Sequence, residues 1–327
     1  MIQAVRGTKD ILPEAIGHWD YIEQTARKVA NSFAYYEMRT PTFEKTEVFS
    51  RGVGEATDIV NKEMYTFSDK GGEMITLRPE NTAAIVRSVI QNNLTQNLSV
   101  TRLWYFGPFY RYERPQKGRL RQFHQFGTEC IGSPFPESDA ENILLAHEFI
   151  KALGITDYKL LLNTLGNDDS RARYREELVK FLVANKYSLS EESKGRMEIN
   201  PLRVLDSKDE RDQAVIANAP NILDYLDEES TNHFNRVKHI LDSMGVQYSI
   251  TPRLVRGLDY YSHTVFECQS SALGSQDAFG GGGRYNTLFT QLGGKETPAV
   301  GFAMGVERLL LILESLGKLP EKQSEAD

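Results

Sequence analysis

VTRLWYFGPFYRYERPQKGRLRQFHQFGTECIG, residues 100–132, joins two aromatic-rich runs through a short basic segment. VTRLWYFGPFYRYE and RQFHQFGTECIG have the composition of strands, and ERPQKGR between them carries the proline and glycine of a turn. Side chains alternate across a strand, so Phe123, Gln125, Gly127, Glu129 and Ile131 share one face. On that face an amide and a carboxylate flank a glycine, and a strand glycine lets a ligand approach the backbone. A solvent-facing strand with ordinary polar residues alternates in the same way. The five cations Arg111, Arg114, Lys117, Arg119 and Arg121 suit phosphate oxygens, although charge runs are more often solvated loop tips. Arg111 is placed within the first strand, where an unpaired charge is costly.

Outward from this hairpin, residues 14–36 read as an amphipathic helix on the spacing of Ile16, Trp19, Ile22, Ala26, Val29 and Phe33. YEMRTPTF reads as a strand interrupted by Pro41, which suits an edge or an interface. MYTFSDKGGEMITLRP reads as a hairpin turning at Asp69–Gly72, and ENTAAIVRSVIQNN as a helix starting at Glu80. Ser138 and Glu141 have capping-box spacing for the helix DAENILLAHEFIKAL, which Gly154 closes. YKLLLNTLG reads as a strand. From about 167 to 245 the chain turns charged, helical and poor in glycine. Strand-like segments resume in VQYSITPRLVRGLDYYSHTVFECQ, and AVGFAM leads into the helix GVERLLLILESLG. Strands and hairpins without regular βαβ alternation predict an α+β fold with a mainly antiparallel sheet. The expected division is 1–166 and 246–318 as a core, 167–245 as a helical insertion, and 319–327 as a polar tail or linker.

The 327 residues carry a formal charge of −7, which excludes a generally basic nucleic-acid coat but not a local patch. The two cysteines, Cys130 and Cys268, fit no metal or redox spacing and read as buried packing in a reducing compartment. The histidines form no ligand pair. No apolar run reaches spanning length, and MIQAVRGTKD lacks a signal-peptide core, so the expectation is a cytoplasmic protein with no membrane partner.

Three further segments can carry chemistry. In LVRGLDYYSHTVFE, Arg256 can neutralise a developing phosphate or carboxylate charge, and Tyr260 and Tyr261 supply flat walls with hydroxyls. Paired tyrosines alone are more often packing. FGGGGRY matches neither a Rossmann fingerprint nor a P-loop, but successive glycines let backbone lie flat against a ligand; a plain turn looks alike. Arg308 falls in the first turns of an apolar helix, where a cation opposes the macrodipole. A phosphate or a carboxylate such as Glu307 would offset it.

Together these segments resemble the catalytic domain of the histidyl-tRNA synthetases, a family of class II aminoacyl-tRNA synthetases. The resemblance spans essentially all of the sequence. RGTKDILP is similar to the family's N-terminal signature. RTPTFEKTEVFSRGVGEATDIVNKEMYTF is similar to motif 1 and its continuation. TLRPENTAAIVR, GPFYRYERPQKGRLRQFHQFGTECIG, RGLDYYSHTVFE, GGGGRYNTL and GFAMGVERL follow in the family's order. RGLDYY and GGRY are histidine-specific blocks. The resemblance implies a class II synthetase-like antiparallel sheet flanked by helices with a helical insertion, ATP and Mg²⁺ as cofactors, and L-histidine and tRNA-His as substrates. It also implies a homodimer built on motif 1. Histidine and ATP would form histidyl-adenylate and pyrophosphate, and histidine would then pass to the 3′ end of tRNA-His.

Roles carry over by motif. Glu80, Thr82 and Gln125 would hold the α-ammonium of histidine, Glu129 and Tyr261 the imidazole, and Tyr260 would line the same pocket. Arg111 would grip the α-phosphate and carboxylate region, and Arg256 would be the catalytic arginine. Arg308 would bind the γ-phosphate and Arg119 the outer phosphates, with Mg²⁺ carried mainly by phosphates rather than protein ligands. Gly281 and Gly283 would let the adenylate lie against backbone. Arg114 and Gln116 would meet the tRNA acceptor stem. The sequence departs from the family at Asn286, where many relatives are acidic, and at His263, where another basic residue is common. Family members continue into an anticodon-binding domain, so the expectation is either a catalytic fragment or a protein without that domain. The competing reading is a non-catalytic, histidine-sensing regulatory paralogue of ATP phosphoribosyltransferase. The short length favours it, while the phosphate-binding arginines, the ERPQKGR loop and the insertion oppose it.

Overall fold

The computed structural model describes residues 1–54, 57–96, 99–274 and 277–320. The chain opens with helix α1 (Pro13–Ser32), shorter than its apolar spacing predicts because Ala34 takes a positive φ of 59° and turns the chain out. Strands β1 (Tyr36–Glu37) and β2 (Phe43–Lys45) follow, separated around Pro41. Helix α2 (Thr46–Val53) leads to the hairpin β3 (Tyr65–Ser68) and β4 (Met74–Leu77). Its turn is held by Asp69, whose Oδ1 accepts from the amides of Gly71 and Glu73.

Helix α3 (Thr82–Gln91) starts two residues later than expected. Glu80 stays outside the helix, and its carboxylate accepts from the first amides, Thr82 N at 2.6 Å and Ala83 N at 3.0 Å. Strands β5 (Thr101–Tyr110) and β6 (Gln122–Ile131) form the long hairpin. Arg111 lies one residue past β5, still paired through its amide to the Arg121 carbonyl. Helix α4 (Pro136–Ala152) begins at its proline, so Ser138 and Glu141 form no capping box. Ser138 Oγ donates to Ser133 Oγ, and Glu141 pairs with Arg102 at 2.9 Å.

After β7 (Lys159–Thr164) come α5 (Asp168–Ala184), α6 (Glu191–Ile199), a short helical turn Pro201–Asp206, α7 (Glu210–Ile216) and α8 (Glu228–Ser243). Strand β8 (Ser249–Ile250) is brief. Residues 251–261, expected to be strand-like, form neither helix nor strand. The chain then runs β9 (Ser262–Gln269), β10 (Ala278–Arg284), α9 (Leu288–Gln291), β11 (Ala299–Gly305) and α10 (Val306–Ser315). Most of the polar tail, residues 321–327, lies outside the described residues.

The main sheet has eight strands in the order β1-β5-β6-β11-β10-β9-β7-β8. Only its two outermost pairings are parallel. Strands β2, β4 and β3 form a small antiparallel sheet. The fold is α+β, a mainly antiparallel sheet flanked by helices, as the sequence predicts. Alternation along the strands feeds two cores. Trp104, Phe126, Cys130, Phe266, Cys268 and Phe302 pack under α1, α4, α8 and α10. Leu103, Tyr105, Ile131 and Val265 face the other way, toward α3, α5 and the Pro201–Asp206 turn. Both cysteines are free and buried. Among the described residues no helix is long and apolar enough to cross a membrane.

Candidate functional site

The second face of the sheet holds a cleft of about 410 Å³. Its shape follows from strand register. Gln125, Gly127 and Glu129 of β6 stand opposite Gly305, Ala303 and Gly301 of β11. Gly301 and Ala303 stand opposite Gly283 and Gly281 of β10. Facing residues of an antiparallel pair point to one side. A trough of near-absent side chains therefore crosses the sheet, bounded by Gln125 and Glu129 on one flank and Arg256 and Glu267 on the other.

The glycines are required by space. A Cβ on Gly281 would lie 2.5 Å from the Phe266 carbonyl and 2.8 Å from Arg256 Nη1. On Gly301 it would lie 1.8 Å from Glu129 Oε2. The Glu129 carboxyl occupies the room that Gly301 leaves. It accepts from Thr82 Oγ1 at 2.7 Å and from the Tyr285 hydroxyl. Burial pushes its pKa up from the ordinary 4.5 to about 8, against the pull of those two donors. Glu80 is also raised, by burial first, despite its two amide donors. Gln125 Oε1 is buried with no hydrogen-bond partner, an acceptor that a ligand's N–H can satisfy.

The cations ring the cleft. Arg256 Nη1 donates to Glu267 Oε2 at 2.7 Å, while its Nε has no partner. Burial is the largest influence on that guanidinium and lowers its pKa, but Glu267, Tyr261 and Tyr260 together outweigh it and the net shift is upward. Arg111 Nε donates to the Pro79 carbonyl, and the guanidinium lies 5.1 Å from the centroid of Phe123. Arg119 lies 3.4 Å from Glu113. Arg308 donates to the carbonyls of Gly118 and Ala278, and its pKa is lowered by burial and then by Arg119. Glu307 is not its counter-ion, because that carboxylate accepts from the amide and ring of His124.

Glu80, Thr82, Arg111, Arg119, Gln125, Arg256, Tyr260, Tyr261, Gly281 and Arg308 thus line one cleft, with Glu129 buried behind Thr82 and Tyr285. Gly283 sits apart, beneath Tyr261 and the Thr264 carbonyl. Arg114 and Gln116 are exposed at the hairpin tip. Tyr285, Gly301, Tyr105 and Glu267 were not singled out from the sequence. Tyr285 stands in a segment that reads as a glycine turn, and Gly301 is placed only by cross-strand register.

A family model described as Histidyl-tRNA synthetase matches residues 7–309. The histidine–tRNA ligase of Acaryochloris marina is 53% identical over 314 residues, covering 96% of this chain and 73% of that protein. The crystal structure of apo histidyl-tRNA synthetase from S. aureus superposes with a TM-score of 0.79 at 39% identity, over 97% of this chain and 75% of that one. A Bacillus halodurans structure, described as an ATP phosphoribosyltransferase regulatory subunit/histidyl-tRNA synthetase, has a TM-score of 0.70 at 23% identity, covering 98% and 84%. That last likeness concerns the fold alone.

Proposed function

The chain belongs to the histidyl-tRNA synthetase family, and on that premise we propose how its cleft joins histidine to tRNA. The activity is that of a histidine–tRNA ligase, and ATP use goes with the family. The observation that carries the site reading is the pairing, on one strand face, of the buried Glu129 carboxyl with the unsatisfied Gln125 oxygen, below a rim of arginines. A small ligand with N–H donors at both ends, and an anion in between, fits that pattern.

Glu80, Thr82 and Gln125 receive the α-ammonium, and Glu129 and Tyr261 the imidazole, with Tyr260 as a wall. An amino acid without the ring's N–H leaves the buried carboxyl and Tyr261 without the partner the imidazole would supply, and is rejected. The α-carboxylate oxygen attacks the α-phosphorus, forming the mixed anhydride, and the bond to the departing pyrophosphate breaks. Arg111 and Arg256 stabilise charge on the α-phosphate as it develops, and Arg308 and Arg119 hold the outer phosphates. A terminal hydroxyl of tRNA-His then attacks the histidyl carbonyl carbon and AMP leaves. Arg114 and Gln116, exposed at the hairpin tip, would meet the acceptor stem. Gly281 lets the adenylate lie on backbone, with Gly283 behind Tyr261. Mg²⁺ would be carried mainly on the phosphates, with few protein ligands.

Within this reading, 1–166 and 246–318 form the catalytic core and 167–245 an insertion. The protein acts in the cytoplasm as a homodimer. Phe43 and Phe67 are exposed on one face of the small sheet, with Tyr36 exposed on β1, apolar surface that a second copy would cover. Histidine-dependent ATP–pyrophosphate exchange, with the other amino acids as controls, tests the central reading. Exchange with histidine alone is expected; histidine binding without exchange would favour the sensor reading instead.

A further inference from the structure

Residues 251–261 form neither helix nor strand, yet they carry Arg256, Tyr260 and Tyr261 into the cleft. An irregular segment makes no ladder of its own, so its position depends on what grips it. Three side chains from the helical stretch do so. Arg203 Nη1 donates to the Arg256 carbonyl at 3.2 Å. Asn200 Nδ2 donates to Asp259 Oδ1 at 2.7 Å. Arg171 Nη1 donates to the Tyr261 carbonyl at 2.9 Å. The three ties bracket the segment from its arginine to its second tyrosine.

Arg203 is the tie nearest the reacting groups. It rises from the Pro201–Asp206 turn, and its other side faces Asp58 Oδ2 at 3.6 Å. Its side chain is only 16% exposed. Gly257 keeps the approach open, since a Cβ there would stand 3.3 Å from Arg203 Nη1. Arg203 is not on the cleft wall. The Arg256 side chain donates to Glu267 and also interacts with the Tyr261 hydroxyl, itself carried on the same irregular segment, while its Nε has no partner. Its placement therefore depends on the segment's backbone, and at Arg256 that backbone is held by a charge-assisted bond from Arg203.

We propose that Arg203 is a positioning residue for the ligation reaction, setting the Arg256 guanidinium through the Arg256 carbonyl and so coupling the helical stretch 167–245 to the phosphate chemistry. The proposal rests on the role assigned above to Arg256. Released from Arg203, the 256–257 backbone shifts, and a misplacement of about 1 Å in a charge-stabilising group lowers rate by up to roughly 100-fold.

The experiment measures histidine-dependent ATP–pyrophosphate exchange and thermal melting for the wild type, Arg203→Met, Arg203→Lys, Asn200→Ala and the exposed control Arg211→Ala. Arg203→Met is expected to lower kcat by about 10- to 100-fold with the KM for histidine held within about twofold. Arg203→Lys should recover part of the rate, since an ammonium can reach one carbonyl but not the carbonyl and Asp58 together. Arg211→Ala should match the wild type. An unchanged kcat in Arg203→Met overturns the proposal, as does a loss of kcat and histidine affinity together that follows melting temperature. If Arg203→Met melts below the assay temperature, Asn200→Ala decides. A kcat-only loss there supports the splint, and full rate overturns it. Absence of exchange in the wild type would instead sink the ligase reading of the cleft.

Discussion

Gly301→Ala is the sharpest test of the histidine pocket. The added Cβ would stand 1.8 Å from Glu129 Oε2, 2.5 Å from the Thr128 carbonyl and 2.6 Å from Glu129 Cδ. The carboxyl must retreat by at least about 1 Å before the contact is tolerable, and strand β6, paired residue for residue with β11, cannot yield that distance locally. The retreat breaks the bonds from Thr82 and Tyr285 that aim the carboxyl. Gly301 is not among the glycines with positive φ, so no backbone strain enters and the effect is steric. Overpacking of this kind costs about 1–3 kcal/mol of stability. Loss of the aimed acceptor should weaken histidine binding by roughly 10- to 100-fold, the usual size of a broken charged hydrogen bond. Calorimetric titration with histidine reads the affinity, and pyrophosphate exchange reads the rate. A variant that folds and binds histidine at wild-type strength would show that the Glu129 carboxyl is not the imidazole's partner.

Three other outcomes are expected. Arg256→Ala should lower adenylate formation by about 100- to 1000-fold, as loss of a charge-stabilising donor does, while calorimetry still detects histidine binding; a wild-type exchange rate would remove Arg256 from the mechanism. Because the folded pKa of Glu129 is about 8 against an ordinary 4.5, the folded protein keeps a proton that the unfolded chain loses, so this group's contribution to stability falls as pH rises through that window, by at most about 1.4 kcal/mol per pH unit. Melting curves of ligand-free wild type and Glu129→Gln across that range should diverge in favour of the variant at the alkaline end, and parallel curves would contradict the buried, protonated carboxyl. Asp212 is fully buried and accepts from Ser190 N and from the hydroxyls of Ser190, Ser193 and Ser207, which knots α6, α7 and the intervening turn. Asp212→Ala strands those donors and should destabilise this region by about 2–4 kcal/mol, read by denaturant unfolding; a loss below about 0.5 kcal/mol, the size of an ordinary surface change, would mean that water replaces the carboxylate.

The long hairpin was legible because period-two alternation is a local property: Gln125 and Glu129 share a face whatever pairs with them. Tyr285 and Gly301 were not, because what they touch depends on which strand lies beside β6, a register set by tertiary packing. Composition misled at 251–261. Val255, Tyr260 and Tyr261 resemble strand residues, but that stretch is held by side chains of the helical region and of β7 instead of by a ladder. Helix starts were misplaced for a related reason. Glu80 has the composition of a first-turn residue, yet its carboxylate caps the helix from outside, and Ser138 was assigned a cap that Pro136 makes unnecessary.

The glycine floor of the cleft has a consequence for binding entropy. A wall built of side chains must freeze rotamers when a ligand settles on it, at roughly 0.5–1.5 kcal/mol for each rotamer-rich group. Gly281 and its neighbours Gly280, Gly282 and Gly283 have no rotamers, and their backbone is already fixed between β9 and β11. The ordering cost of that surface falls on folding, where glycine loses more freedom than any other residue, and none of it is left for the binding step. A planar ring laid on β10 therefore meets a surface as ordered before it arrives as after.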